Sequence, residues 1–483
     1  MALSVLSVAS EAVPLVKTGG LADVAGALPA AVAAHGVDMT TFLPAYPAVG
    51  KAMGRKRVAH EWDSLLGHKA RLLSGKIGAH KLLVLDCPTF FARDGGPYSD
   101  SKGQDWADNW HRFAAFSRAA ADIASGRVKG AKFDLVHAHD WQAAMAIAYL
   151  KLASDAPELP AVMTIHNMAF QGYHDAGIFP RLGLPQSAWS VDGVESYGGV
   201  GFLKAGMQLA DVITTVSPSY AAEIRQPQFG MGLEGLVALR GDRVRGILNG
   251  IDPAVWNPKI DSDIAASYDH RSLAMRKANK RAIEKEFGLE KGDGPIFTVV
   301  SRLTWQKGMD VLVEVLDHLV GIGGRLALLG SGDKAIEAAL QEAAARHPGR
   351  IAIRIGYDEA LSHQLQAGAD AILVPSRFEP CGLTQLYGLA YGCVPVVART
   401  GGLADTVIDA NPAALAQGVA TGVQFDGVHY HALRSAIDRA MVLYAQPKQW
   451  RDIQQNGMKA DFSWDASGRA YADLYRELTG KAA

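Results

Sequence analysis

Short apolar runs alternate with helical stretches along almost the whole chain, and this alternation constrains the fold more than any other feature. Most of the runs are continuously apolar, as expected for parallel strands that are buried on both faces. A regular exchange of strand and helix is typical of a doubly wound α/β sheet. The runs that we interpret as strands are Leu3–Ala9, Met39–Leu43, Leu82–Leu85, Leu135–Ala138, Ala161–Ile165, Val212–Val216, Val244–Leu248, Ile296–Val300, Leu326–Leu329, Ile351–Ile355, Ala371–Val374 and Val394–Ala398.

Twelve strands exceed one comfortable sheet, so the sequence predicts two Rossmann-like domains with parallel sheets. The length of 483 residues agrees, since a domain commonly has about 100–200 residues. The boundary is predicted at Asn249–Pro258, a stretch rich in Asn, Gly, Asp and Pro, which gives domains over 1–248 and 249–483. The segment 464–478 has aromatic and apolar residues at helical spacing and is predicted to pack back on the first domain.

Composition and charge exclude several classes of partner. The formal net charge of −1 gives no overall attraction to nucleic acid or to an anionic membrane surface. No uninterrupted apolar run approaches the roughly 20 residues that span a bilayer, and the N-terminus reads as a buried strand rather than a signal peptide. Three cysteines are too few for a disulfide framework and fit a reducing compartment. We therefore expect a cytoplasmic protein with neither nucleic-acid nor membrane partners.

The same six residues, Thr-Gly-Gly-Leu-Ala-Asp, occur at Thr18–Asp23 and at Thr400–Asp405. Each copy follows a basic residue, Lys17 or Arg399, and each opens a helical stretch. A Gly-Gly turn ahead of a helix lets backbone approach a ligand closely and aims N–H groups at an anion. Two copies indicate two similar halves that face one phosphate-bearing ligand, and shared helix-capping chemistry is the alternative.

Polar residues that follow the strands are the informative ones, because open α/β sheets bind ligands beyond the carboxyl ends of their strands. Arg302 and Lys307 follow one strand and would neutralise the charge that grows on a diphosphate leaving group. An exposed basic loop is the alternative. Glu379 stands ahead of a helix start, where its carboxylate could bond sugar hydroxyls or stabilise positive charge at a reacting carbon. The alternative there is an ordinary acid at a helix N-terminus.

Metal sites are not predicted. His137 and His139 share one face of a strand, but no third ligand follows at metal spacing. The acidic triplet Asp261–Asp263 lies in the proposed connector and is interpreted as a solvated surface feature. His166 follows a buried strand, where a core histidine and a sugar contact are equally compatible with the sequence. We expect neither a metal nor any other cofactor.

Six motifs, in order and over nearly the whole chain, resemble those of bacterial glycogen synthases and plant starch synthases. They are Lys17–Val24, His139–Trp141, Thr164–Asn167, Asn249–Asp252, Ser301–Leu303 with Gln306–Gly308, and Pro375–Thr384. The resemblance implies a GT-B fold, with two Rossmann-like domains facing each other across a deep cleft. It implies transfer of glucose from ADP-glucose to the non-reducing end of an α-1,4-glucan such as glycogen, with retention of configuration and without a metal. The first domain would lie on the acceptor side and the second on the ADP-glucose side.

The resemblance also implies roles for individual residues. Those implied in catalysis are Glu379, His166, Arg302 and Lys307. Those implied to bind substrate are Lys17, Gly19, Gly20, Asp23, Asp140, Asn167, Asn249, Tyr357, Cys381, Gly382, Leu383, Thr384, Glu11, Tyr98 and Trp141. Among them, the cations and the glycine-bearing turns would hold the diphosphate, Tyr357 would lie against the adenine, and the acceptor would meet Glu11, Tyr98 and Trp141.

Tyr387 stands eight positions beyond Glu379, where many retaining GT-B enzymes carry a second glutamate. Without a second carboxylate there, a same-face mechanism is favoured over double displacement. Two other readings stay open: a retaining glucosyltransferase that uses UDP-glucose or a small acceptor, and a catalytically silent glucan-binding protein. The intact set of Lys17, Arg302, Lys307 and Glu379 argues against the silent protein, because glucan binding alone does not require cations for a diphosphate. The sequence carries no signal for the oligomeric state.

Overall fold

The computed structural model describes residues 2–153 and 157–481. The chain forms two compact units, one of Met1–Gly250 with Trp464–Ala483 and the other of Ile251–Ser463. The division falls inside the predicted Asn249–Pro258 connector. The outer limits of the predicted domains, Met1 and Ala483, lie outside the described residues.

The first unit is built on a large sheet and a small one. Its strands are β1 Leu3–Val8, β2 Val37–Pro44, β3 Arg57–Leu65, β4 His68–Ile77, β5 His80–Asp86, β6 Leu135–His139, β7 Ala161–Ile165, β8 Tyr173–His174, β9 Glu195–Ser196, β10 Gly199–Gly201, β11 Val212–Thr215 and β12 Val244–Gly246. Its helices are α1 Gly20–Ala33, α2 Pro47–Ala52, α3 Pro88–Phe91, α4 Asn109–Ala124, α5 Asp140–Lys151, α6 Phe202–Leu209, α7 Pro218–Glu223, α8 Pro227–Gly230 and α9 Glu234–Leu239. Short 3₁₀ turns occupy Ala176–Arg181, Gln186–Ala188 and Gly241–Arg243.

The large sheet has the order β12-β11-β7-β6-β1-β2-β5-β4-β3 and is parallel from β12 to β5. Its central strands are buried because helices cover them; Phe42 of β2, for example, stacks on Phe116 of α4 with ring centroids 4.7 Å apart. The antiparallel strands β3, at the edge of the sheet, and β4, beside it, were absent from the strand prediction. Residues of β3 are mostly exposed, so this strand lacks the continuous apolar run that identified the others.

The second unit is one six-stranded parallel sheet with the order β15-β14-β13-β16-β17-β18. Its strands are β13 Ile296–Leu303, β14 Arg325–Gly332, β15 Ile351–Ile355, β16 Ala371–Val374, β17 Val394–Ala398 and β18 Val423–Phe425. Its helices are α10 Arg276–Phe287, α11 Met309–Gly321, α12 Lys334–Arg346, α13 Glu359–Gly368, α14 Thr384–Tyr391, α15 Gly401–Thr406, α16 Pro412–Gln417, α17 Tyr430–Tyr444 and α18 Pro447–Lys459, with 3₁₀ turns at Leu273–Met275 and Trp305–Lys307.

The last helix, α19 over Trp464–Thr479, belongs to the first unit. Its Tyr471 and Tyr475 are fully buried there, and the Tyr475 hydroxyl lies 2.8 Å from Nδ1 of His137 on β6. Ser467 donates a hydrogen bond of 2.5 Å to the Leu248 carbonyl. The helix therefore packs where the aromatic spacing of 464–478 indicated.

Across residues 2–153 and 157–481, none of the helices combines the length and the apolar character that crossing a bilayer requires. The three cysteines, Cys87, Cys381 and Cys393, are buried, and none of them forms a disulfide. In both units most of the candidate site residues lie at the carboxyl ends of parallel strands or in the loops and helix starts that follow them, where an open α/β sheet presents its ligand-binding edge.

Candidate active site

Glu11 follows β1 and is the centre of a buried network of hydrogen bonds. It is 2% exposed, and its carboxylate accepts hydrogen bonds from the amide and the hydroxyl of Thr18 and from the hydroxyl of Tyr98, with the Thr18 hydroxyl at 2.6 Å. Burial, followed by the negative charge of Glu11, holds the pKa of Tyr98 well above its ordinary value. Glu11 therefore anchors the start of the first Gly-Gly turn.

The first Gly-Gly turn is open. A Cβ atom added at Gly19 or Gly20 would meet nothing within 4 Å, so packing does not require glycine at either position. Helix α1 begins at Gly20, and its first N–H groups can therefore be approached by an anion. Beside the turn, Lys17 pairs with Asp23 at 2.8 Å. Burial raises the pKa of Asp23, although the charge of Lys17 opposes the rise.

Asp140 opens α5 directly after β6 in a left-handed backbone conformation, with φ of 55°. Its carboxylate is buried and accepts a hydrogen bond of 2.7 Å from the backbone amide of His166. Burial raises the pKa of Asp140 to about 7, while amide hydrogen bonds from His166 and Asn167 oppose the rise and the charge of Glu11 adds to it. A strained residue with a strongly perturbed pKa at a strand end is typical of a functional site.

Because the pKa of Asp140 is raised, the free energy of unfolding of the protein is expected to depend on pH. In the unfolded chain this carboxyl ionises near 3.8 and in the folded chain near 7, so the folded protein binds the extra proton between these values and loses stability as the pH rises through them. Asp140→Asn still accepts from the His166 amide but does not ionise. Relative to wild type, the variant's free energy of unfolding should rise by about 2–3 kcal/mol between pH 5 and pH 8 in urea titrations. Parallel pH profiles would contradict the buried, proton-binding state of Asp140.

Three histidines lie together behind Asp140. His137 and His139 of β6 are fully buried, with ring centroids 4.1 Å apart, and Nδ1 of His139 lies 3.1 Å from Nε2 of His166. Burial lowers the pKa of His139 to about 3 and the pKa of His166 well below its ordinary value, so both rings are neutral.

Three more residues that were predicted to bind substrate lie in the first unit, and each has a different environment. Trp141 is 9% exposed and packs edge-on against Phe113 at 5.1 Å between ring centroids, so it lies in the core rather than presenting its ring to an acceptor. The side chain of Asn167 accepts from the Ala169 amide at 3.0 Å and stabilises its own loop. Oδ1 of Asn249 is buried and has no hydrogen-bond partner among the described residues, which a ligand hydroxyl could satisfy.

In the second unit, Glu379 and Lys307 form a close ion pair. The carboxylate of Glu379, which is 7% exposed, accepts hydrogen bonds from Nζ of Lys307 at 2.5 Å and from the hydroxyl of Ser376 at 2.8 Å. The two residues sit on the loops after β16 and β13, which are adjacent strands. The alternative of an ordinary helix-capping acid is therefore disfavoured, because Glu379 makes its contacts to a cation and a hydroxyl and precedes α14 by several residues.

Arg377 ties these two loops together. Its guanidinium binds both carboxylate oxygens of Asp310 at 2.7 Å and donates to the Trp305 carbonyl at 2.6 Å. Gly308 lets the loops approach: its φ is 68°, and an added Cβ would lie 1.9 Å from the Pro375 carbonyl oxygen. The position of Lys307 beside Glu379 is thus fixed by contacts on both sides.

The second copy of the hexapeptide differs from the first. Cβ atoms added at Gly401 and Gly402 would lie 2.0 Å from the Glu379 carbonyl oxygen and 2.1 Å from the Cys381 carbonyl oxygen. The amide of Gly402 donates to that Glu379 oxygen at 3.1 Å. The glycines of the second copy are therefore required by close packing against the backbone of the Glu379 segment, unlike those of the first copy, and a phosphate contact by the second copy stays a prediction.

Arg302 and Tyr357 are exposed at strand ends, Arg302 on β13 and Tyr357 after β15 with 71% exposure. Within the described ranges the Arg302 guanidinium has no hydrogen-bond or ionic partner, so it is available to an anion. The segment of Cys381, Gly382, Leu383 and Thr384 forms the turn into α14. Cys381 is buried, and the Thr384 hydroxyl donates to the Val300 carbonyl at 3.5 Å.

Tyr387 and Asp261 each contact other side chains of the second unit. Tyr387 stacks on Trp256 with ring centroids 3.6 Å apart, which explains an aromatic residue where other retaining enzymes carry glutamate.

The prediction that Asp261 is a solvated surface residue is wrong. Its carboxylate is buried and bonded to Nδ1 of His363 at 2.8 Å and to the Tyr391 hydroxyl at 2.5 Å. Asp261, Asp263 and His363 bring possible ligand atoms within 4.8 Å of one another, but two of the three are already engaged with each other.

Some residues that support the site were given no role by sequence reasoning. Ser376 and Arg377 fix Glu379 and its loop, and His139 contacts His166. Ser376 and Arg377 carry a usable signal, because they follow β16 immediately. The contact of His139 with His166 depends on the pairing of β6 with β7, which a single sequence does not reveal.

Two doubly wound α/β units with polar loops after their strands are the architecture of GT-B glycosyltransferases, and comparison with known proteins places the chain in this class. Residues 4–239 match the family model "Starch synthase catalytic domain", and residues 280–457 match "Glycosyl transferases group 1". The chain is 70% identical over 480 residues to the glycogen synthase of Novosphingobium aromaticivorans, covering 99% of each chain. It is 56% identical over 479 residues to that of Mesorhizobium japonicum, again covering 99% of each. The chain therefore belongs to the starch and glycogen synthase family, as its motifs indicated.

Solved structures agree with this family assignment. The catalytic domain of starch synthase IV from Arabidopsis thaliana, bound to ADP and acarbose, superposes with a TM-score of 0.88 at 29% identity, with both chains fully covered. A sucrose-phosphate synthase from Thermosynechococcus elongatus gives a TM-score of 0.61 at 19% identity and covers 99% of this chain and 100% of its own. That second similarity is one of fold alone.

Proposed function

We propose that this protein is a glycogen synthase that transfers glucose from ADP-glucose to the non-reducing end of an α-1,4-glucan with retention of configuration. The observation that carries the proposal is the buried Glu379 carboxylate, held 2.5 Å from Nζ of Lys307 in the loop after β16. A carboxylate beside a cation suits a reaction in which positive charge develops on the sugar and negative charge on the leaving group. Full-length similarity to glycogen synthases supports the choice of donor and acceptor. We also propose a cytoplasmic location, where such substrates would be met.

The proposed reaction proceeds on one face of the sugar. The bond between the anomeric carbon and the diphosphate oxygen breaks as the acceptor hydroxyl forms its bond to that carbon. The acceptor proton passes to the departing diphosphate, so atoms and charge balance without a protein base. Arg302 and Lys307 stabilise the leaving group, and Glu379 stabilises the oxocarbenium-like carbon.

The first unit supplies recognition in this proposal. The open N–H groups at Gly19 and Gly20, with Lys17, bind phosphate oxygens. Asp140, His166 and the unpartnered amide oxygen of Asn249 bind hydroxyls of the glucose. Trp141 and Glu11 are both buried and Tyr98 is half-buried, so the acceptor contact on this unit is assigned to Tyr98, whose hydroxyl is bonded to Glu11, while Trp141 lies in the core.

The nucleotide preference is testable directly. Exposed Tyr357 offers a ring face to a base, but a ring face binds adenine and uracil alike. The preference for ADP-glucose therefore rests on the family resemblance. We expect kcat/KM for ADP-glucose to exceed that for UDP-glucose at equal glycogen concentration. Equal values, or a preference for UDP-glucose, would favour the alternative of a glucosyltransferase with another donor.

Metal independence is the second part of the proposal. Lys17, Arg302 and Lys307 supply fixed positive charge, which performs the role that a divalent cation has in other glycosyltransferases. Activity should therefore survive exhaustive chelation in buffers stripped of divalent ions. Complete loss of activity, restored by magnesium or manganese, would contradict this and direct attention to Asp261 and Asp263.

A further inference from the structure

Two buried histidines on one face of β6 have different partners. His139 bonds His166 through Nδ1 at 3.1 Å and Ser7 of β1 through Nε2 at 3.2 Å. His137 bonds Tyr475 at 2.8 Å and Thr164 at 2.5 Å. Both rings are fully buried, and only His139 leads to a residue of the candidate site. Substitutions of the two histidines can therefore distinguish the effect of losing a hydrogen bond to the site from the effect of disturbing a buried ring.

The donor and the acceptor can be assigned in each of the two hydrogen bonds that link Ser7 to His139 and His139 to His166. Ser7 is fully buried, and within the described ranges His139 is the one recorded partner of its hydroxyl. A buried hydroxyl hydrogen without an acceptor is costly, so the Ser7 hydroxyl donates to Nε2 of His139. A neutral imidazole carries one proton, so His139 holds it on Nδ1 and donates to Nε2 of His166. Nε2 of His166 is then an acceptor, and its Nδ1 carries the hydrogen.

We propose that His139 is a positioning residue, which, together with Ser7, fixes the ring of His166 in the tautomer that presents Nδ1–H as a donor to a sugar oxygen. This inference rests on the proposed function, because it gives a role to His166 at the glucose. These hydrogen bonds require neutral rings at His139 and His166, and burial keeps the pKa of both rings low. Ring orientation and tautomer are set in this way by a second hydrogen bond in many catalytic and metal-binding histidines.

The kinetic test compares His139→Phe with His137→Phe in the full-length enzyme. Phenylalanine keeps a buried ring in each place and removes the hydrogen bonds. His139→Phe should lower kcat by about 10- to 100-fold with little change in KM for ADP-glucose, as loss of an orienting partner typically does. His137→Phe should lower the melting temperature but leave kcat near wild type. An equal fall of kcat in both variants would show a general packing effect and overturn the proposal.

A conservative variant and a spectroscopic measurement separate positioning from structure. An asparagine side chain in place of the His139 ring can offer an N–H group near the position of Nδ1, so His139→Asn should recover part of the kcat lost in His139→Phe. Side-chain ¹⁵N NMR of histidine-labelled protein should show His166 protonated on Nδ1 in wild type and a mixture of tautomers in Ser7→Ala. A signal from protonated Nε2 of His166 in wild type would overturn the proposal whatever the kinetics.

His166→Ala distinguishes this inference from the function on which it rests. If His166→Ala keeps wild-type kcat, the role of His166 in the proposed function fails, whereas the NMR result still decides the direction of the hydrogen bonds. If His166→Ala loses activity and His139→Phe does not, the positioning role of His139 fails while the proposed function stands.

Discussion

Glu379→Gln is expected to lower kcat by about 10²–10³-fold, the usual cost of losing one well-placed electrostatic stabiliser. Glutamine keeps the size of the side chain and an oxygen that accepts from Lys307 and from Ser376, so the loop after β16 should keep its structure. What is lost is the negative charge, which matters most when positive charge develops at the anomeric carbon. The affinity for ADP and the melting temperature should therefore change little. Steady-state kinetics, ADP titration calorimetry and thermal unfolding measure the three quantities.

Glu284→Gln is the matched control for this variant. Glu284 on α10 is also a buried glutamate, 4% exposed, and its carboxylate pairs with Arg325 at 2.6 Å. Because the Glu284 carboxylate also accepts from the Arg281 guanidinium and from the Gly292 amide, its substitution removes more native contacts and should lower stability, while leaving kcat nearly unchanged. If Glu379→Gln keeps a near-normal kcat, its catalytic role is refuted. If it loses activity only because it unfolds, the carboxylate is structural.

Arg302→Ala is expected to lower kcat/KM for ADP-glucose by about 10²-fold, because a charge-assisted contact to the diphosphate is lost both on binding and in the transition state. The structural cost should be small, since Arg302 is exposed and the described residues give its guanidinium no partner. Arg302→Lys should recover part of the loss, because lysine restores the charge but not the paired donors of a guanidinium. Kinetics at varied ADP-glucose and saturating glycogen measure both variants.

Arg451→Ala on α18 provides the comparison, since Arg451 is also exposed in the second unit and lies outside the candidate site. It should leave kcat/KM unchanged. Wild-type kinetics for Arg302→Ala would support the alternative of an exposed basic loop and remove Arg302 from the site.

The sequence predicted the parallel strands well because burial on both faces leaves a continuous apolar run. It failed at β3, where the pattern is that of an exposed edge: Trp62 is half-buried and its neighbours face solvent. The hairpin between β3 and β4 turns through Leu66 and Gly67, both with positive φ. Leucine is not a typical turn residue at such a conformation, so no turn signal marked the hairpin.

The candidate site was predictable where one loop carries the chemistry and was not where tertiary contacts decide. Glu379 and Lys307 were chosen for their positions after strands, and adjacent strands bring them into contact. The two copies of Thr-Gly-Gly-Leu-Ala-Asp have identical residues, yet one turn is open and the other is filled by the backbone of Glu379 and Cys381. Identical local sequence cannot report what another segment places against it.

Release of ADP, measured together with incorporation of labelled glucose, tests the central claim most directly. With ADP-glucose and glycogen, the account predicts one ADP for each glucose added to the polymer. It predicts little release without a glucan and α-1,4 linkages in the product. Binding of glycogen with no release of ADP under any of these conditions would contradict the account and identify a glucan-binding protein without transferase activity.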